Sequence, residues 1–126
     1  MNSWTFCIYE FPPSLNELLR MHWAKRREAQ VRLDTYVDFY ARERAHEPFP
    51  GAKRKRRVTL HFYWRDKRRR DKDNYGKQLL DALRHNHLLV DDSPEWCEVV
   101  TVFDVDRENP RIEITLEEEG NGASES

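Results

Sequence analysis

The sequence predicts an α+β fold, a mixed four-stranded sheet with two helices in the order β-α-β-α-β-β. Three observations predict it: four segments alternate apolar and polar residues with period two, two longer segments repeat apolar residues every three or four positions, and Pro and Asn punctuate the joins. At 126 residues the chain has room for one hydrophobic core and hardly for a second. A single domain is expected over 1–119, with the small polar residues 120–126 as a flexible tail.

In the first strand Trp4, Phe6 and Ile8 alternate with Thr5, Cys7 and Tyr9, and Pro12-Pro13 stops it. Residues 14–21 carry no decisive pattern. Ala29, Leu33, Tyr36, Val37 and Tyr40 mark one face of a helix from about His22 to Ala45, ended by Pro48 and Pro50. Val58, Leu60, Phe62 and Trp64 form the inward row of the second strand. The second helix begins near Asp73, a good N-cap residue, turns Leu79, Leu80 and Leu83 inward, and closes at Asn86 in a role often taken by glycine. Val99, Thr101, Phe103 and Val105 form the third strand, and Ile112, Ile114 and Leu116 the last. Pro110 between them suits a hairpin.

A net charge of -1 excludes nothing, because the charge is polarised along the chain. Lys53, Arg54, Lys55, Arg56 and Arg57, then Arg65, Lys67, Arg68, Arg69 and Arg70, are opposed only by Asp66, while Glu113, Glu117, Glu118, Glu119 and Glu125 crowd the end. Such a basic stripe attracts phosphates, although a solvated loop accounts equally well for Lys53 to Arg57. Cys7 and Cys97 have neither a paired metal spacing nor the density of a disulfide scaffold, so reduced buried thiols are expected. No apolar run approaches the ~20 residues of a membrane span, and the start has no signal-peptide pattern, so a cytoplasmic protein is expected.

The chemistry is concentrated in Lys67-Arg68-Arg69-Arg70-Asp71-Lys72-Asp73-Asn74-Tyr75-Gly76-Lys77 and, one short helix later, Asp91-Asp92. Asp71 and Asp73 leave an extended backbone on the same side, and paired carboxylates repel unless a cation joins them. Mg2+ takes one or two protein carboxylates and fills its remaining positions with waters that phosphate oxygens can replace. Lys77, a turn beyond Asp73, suits stabilisation of a charged phosphorane. Asp91-Asp92 would close the same pocket from the far side of the helix, with one of the two as a direct ligand. The pattern points to metal-assisted phosphodiester hydrolysis. The same residues also read as an N-cap with salt bridges from Asp71 and Asp73 to Arg69 and Arg70, and as a helical pair of Lys77 with Asp73 or Asp81.

These residues resemble the RusA-type Holliday junction resolvases of bacteria and their phages. The resemblance runs through Pro12-Pro13-Ser14-Leu15-Asn16, Arg69-Arg70-Asp71-Lys72-Asp73-Asn74 with Lys77, Leu80-Asp81-Ala82-Leu83, Asp91-Asp92 and Arg111-Ile112-Glu113-Ile114-Thr115. It implies a RusA-like fold and a homodimer that binds four-way DNA junctions and makes symmetric Mg2+-dependent nicks in recombination and repair, with Mn2+ as a substitute ion. Asp71, Asp73 and Asp92 become the metal-binding carboxylates, Lys77 the transition-state support, and Asn74 and Asp91 supporting residues. Lys53 to Arg57 and Lys67 to Arg70 become phosphate contacts. Two departures stand out: His85-Asn86-His87 replaces a glycine turn, and Glu108-Asn109-Pro110 replaces a glycine-bearing loop. Alternatives are a nuclease of other branched DNA, such as flaps or forks, and a non-catalytic junction-binding module.

The histidines carry less. His85 and His87 are wrongly spaced for one helical face, and His22, His46 and His61 lack a nucleophilic partner in the sequence. Trp23, Tyr36, Tyr40 and Trp64 are expected in the core or a dimer surface, and Asp104 and Asp106 in solvent.

Overall fold

Local periodicity becomes structure element by element. A computed structural model describes residues 2–44 and 51–118. In chain order it contains β1 (Asn2–Ile8), α1 (Leu15–Arg20), α2 (Trp23–Arg44), β2 (Arg56–Trp64), a 3-10 turn (Lys72–Asn74), α3 (Lys77–His85), β3 (Cys97–Val105) and β4 (Arg111–Glu118). The expectations for Ala45, His46, Pro48, Pro50, Glu119 and the tail lie outside the described residues.

The class is as expected, with one helix more than predicted. Residues 14–20 carry a capping box: Ser14 Oγ accepts the Glu17 N–H at 3.1 Å and Glu17 Oε1 accepts the Ser14 N–H at 2.9 Å, which starts α1. The Ser-x-x-Glu spacing was the readable signal. The last helix starts later than predicted. Asp71 rather than Asp73 is the cap, and it caps the 3-10 turn, while α3 proper follows Gly76. Asn86 ends α3 with φ -93°, and the left-handed residue is His87 at φ 63°. The Asn86 amide donates instead to the Asp34 and Ala82 carbonyls, tying the helix end to α2.

The sheet order is β1-β4-β2-β3. β4 runs antiparallel to both β1 and β2, and β3 runs parallel to β2. The predicted β3–β4 hairpin therefore does not form. Parallel neighbours need a crossover, which α3 provides, and the chain then passes the end of β2 to insert β4 at the centre. Asp106 organises that passage, taking the N–H groups of Glu108 and Asn109 and, at 2.9 Å, the Arg111 guanidinium, which holds its carboxyl below the usual range.

One sheet face packs against α2 and α3. Phe6, Ile8, Val58, Leu60, Phe62, Ile112, Ile114 and Leu116 meet Leu33, Val37, Leu79 and Leu83, all buried. Each such side chain stabilises the fold by about 1.5–3 kcal/mol. Trp64 joins this core, Tyr36 and Tyr40 are partly buried, and Trp23 lies exposed on α2. β3 is an edge strand that the helices cover incompletely, so Val99 and Val105 are exposed despite their inward period. No helix among the described residues is long and apolar enough to cross a membrane.

Candidate active site

The loop after β2 is built around Asp66. Its carboxylate accepts the Arg68 N–H at 3.0 Å and the Arg70 guanidinium at 2.8 Å, and Arg70 foremost holds it below the ordinary carboxylate range. Arg70 also donates to the carbonyls of Asp66 and Arg68 and lies 4.0 Å from the Trp64 ring, leaving its side chain 11% exposed. The alternative reading, in which Asp71 or Asp73 pairs with Arg70, gives way to Asp66–Arg70. In the sequence this role of Asp66 leaves a single trace, its position four residues before Arg70.

This loop delivers Asp71 and Asp73 to the end of β2. Asp71 Oδ1 accepts the Asp73 N–H at 3.0 Å and its carbonyl accepts the Asn74 N–H at 3.0 Å, closing the 3-10 turn. Tyr75 packs beneath, edge-on to Phe62, Trp64 and Phe103, which sets the turn beside the far end of β3. Both carboxylates are exposed, and among the described residues no donor engages that of Asp73. Lys77 opens α3 and pairs with Asp81, its Nζ 3.4 Å from Oδ2, rather than with Asp73; Asp81 also takes Arg84 at 3.4 Å.

Asp91 and Asp92 lie at the other end of α3. After the left-handed His87, Leu88 and Leu89 are buried and the chain turns back toward β3. The Ser93 hydroxyl and then the Asp92 N–H hold the Asp91 carboxyl below its ordinary range, so Asp91 serves its own turn and leaves Asp92 exposed. Burial, and next the Asp92 charge, push the Cys97 thiol up to about 11, which marks Cys97 as an inert thiol.

The crossover separates these groups. The Asp71–Asp73 turn meets Phe103 through Lys72 and Tyr75, whereas the Asp92 charge acts on Cys97, six residues back along the same strand, and those two strand positions are roughly 20 Å apart at the rise of a β-strand. Among the described residues no group of three His, Cys, Asp or Glu side chains stands close enough to hold a metal ion. The expectation that Asp91-Asp92 closes the same pocket is therefore not met within one chain. Asp71 and Asp73 are hard oxygen donors on one turn, a set that suits Mg2+, which needs only one or two protein carboxylates.

The basic residues divide between the same two ends. Lys67, Arg68 and Arg69 are exposed beside Asp71, and Lys53, Arg54, Lys55 and Arg57 are exposed near Asp92, with Arg57 3.3 Å from Glu98. Two residues expected to contact phosphate do not present themselves: Arg70, 11% exposed, is engaged by Asp66 and the Trp64 ring, and Arg56 is buried, its side chain 1% exposed. Arg56 points inward because β2 alternates, and position 56 falls on the core side with Val58 and Leu60. On the open face of the sheet His61 Nε2 pairs with Asp104 Oδ2 at 2.6 Å, a partnership hidden from the sequence by 43 residues. His85 pairs with Asp34 at 2.9 Å, so it serves helix packing.

A family model described as endodeoxyribonuclease RusA matches residues 11–117 of the chain, which includes every element from α1 through nearly all of β4. A search of curated proteins finds no match.

Proposed function

The chain belongs to the RusA family of endodeoxyribonucleases, and from that premise we propose that it resolves four-way DNA junctions by paired symmetric Mg2+-dependent nicks in recombination and repair, as a homodimer. The observation that carries this reading is the exposed Asp71–Asp73 pair on a hydrogen-bonded turn between the cations Lys67 to Arg69 and Lys77. A duplex backbone drawn in by those cations meets the two carboxylates at the same place.

Asp71 and Asp73 would hold the divalent ion, with Asp92 as the third carboxylate. When bound, the ion neutralises phosphate charge and activates water. Lys67, Arg68 and Arg69 take neighbouring phosphates and fix the strand. Lys77, 61% exposed, leaves Asp81 to place its ammonium beside the phosphate under attack. Asn74 and Asp91 support the two turns.

The placement of the aspartates at opposite ends of α3 supports the homodimer. A two-fold axis sets the Asp92 end of one copy beside the partner's Asp71–Asp73 end, and by symmetry does so twice, giving two equal sites for two opposing strands. The β3 edge supplies a surface for this pairing, with Val99, Val100 and Val105 exposed along it.

A synthetic mobile four-way junction, incubated with and without Mg2+, tests the proposal. Paired nicks at symmetric positions only with the ion are expected. Tight binding without product under any divalent ion would sink it, and faster cutting of flaps or forks than of junctions would replace the substrate.

A further inference from the structure

We infer that Arg56 is a positioning residue for the segment that carries Asp91 and Asp92, an inference that rests on the reading of Asp92 as part of the nuclease site. Arg56 is the largest fully buried side chain among the described residues. Burying a guanidinium is costly unless its donors are satisfied, and a methionine would fill the space without that cost. What the arginine adds is connection. Its Nε donates to Glu118 Oε2 at 3.0 Å, one terminal nitrogen donates to the Leu88 carbonyl at 3.0 Å, and its plane lies 4.8 Å from the Trp4 ring. Its backbone N–H donates to the Trp96 carbonyl at 3.1 Å.

Leu88 and Trp96 bracket the loop that holds Asp91 and Asp92, so one residue grips both ends of it. The grip is anchored in turn, because β2 sits inside the sheet and Glu118 belongs to its central neighbour β4. Ala52 adds a third tie, its N–H donating to the His87 carbonyl at 2.7 Å. Beyond Leu89 the segment buries little, and Val90 and Asp92 are exposed. The position of Asp92 therefore depends on the carbonyl that Arg56 holds.

The test uses the full chain with Arg56→Met and Arg56→Lys. Amide hydrogen exchange is read first, since it does not depend on nuclease activity. In Arg56→Met, exchange over 88–96 should quicken about tenfold or more while that over 71–79 stays unchanged. Single-turnover junction cleavage should fall about 10- to 100-fold and require more Mg2+, whereas junction affinity in metal-free buffer should stay within about twofold. Arg56→Lys, which keeps one ammonium for Glu118 or Leu88, should recover part of both losses, and it carries both measurements if the methionine variant does not fold. Unchanged exchange over 88–96, or an affinity that falls in step with cleavage, overturns the inference. A wild-type chain that never nicks with Mg2+ defeats the nuclease reading instead and leaves the exchange result to decide what Arg56 holds.

Discussion

Lys77 and Asp81 form an ion pair along one face of α3, Nζ to Oδ2 at 3.4 Å, with the lysine 61% exposed and the aspartate 16% exposed. With its lysine this exposed, such an i,i+4 pair contributes about 0–1 kcal/mol. It engages the ammonium weakly, at the start of the helix that follows the Asp71–Asp73 turn.

Lys77→Ala should therefore leave stability within about 0.5 kcal/mol of the parent while lowering single-turnover cleavage about 100-fold or more. Thermal unfolding and a cleavage time course separate the two effects. Near-parental cleavage would leave Lys77 as no more than a helix partner of Asp81.

Asp73→Asn and Asp92→Asn should each abolish nicking and retain junction binding. Because Asp73 and Asp92 lie at opposite ends of α3, the two inactive chains should complement when mixed and re-equilibrated: the heterodimer has one site with both defects and one with none. About one site in four should then cut, giving single nicks in place of paired ones. A mixture as inactive as its components would show that each site draws its carboxylates from one chain.

The basic positions should split by burial. Alanine at Lys53, Arg54 or Lys55, all exposed, should weaken junction binding and make the slope of log affinity against log salt shallower by about one for each phosphate left without its cation, with unfolding unchanged. Arg56→Ala should instead cost about 3 kcal/mol or more of stability, since it leaves Glu118 and the Leu88 carbonyl without their donor. Affinity measured over a range of salt, beside denaturant unfolding, distinguishes these outcomes.

The folded-state pKa of Asp91 is depressed, first by the Ser93 hydroxyl and then by the Asp92 N–H. Ionised Asp91 thus stabilises its turn above the unfolded carboxylate value, and that contribution is lost as pH falls through the lowered folded value. The amide signals of Asp92 and Ser93 should titrate with a midpoint below the ordinary carboxylate range, and Ser93→Ala should raise it. A parental midpoint at or above that range would contradict the hydrogen-bonded turn.

The sequence by itself determined the class, the inward row of each strand, the long helix and the cluster of aspartates and cations before α3. These depend on spacings of two to four residues, over which a chain reports its own geometry. It also held the Ser14–Glu17 capping box, a local signal of the same kind. Only the tertiary structure decided that β4 lies between β1 and β2, that β3 is left at an edge with its valines uncovered, that Arg56 is held by Glu118 and the Leu88 carbonyl, and that no three acidic side chains gather among the described residues. Periodicity records which side of a segment is buried, but which segment lies beside it is settled by the parallel crossover and by packing between residues distant in the chain.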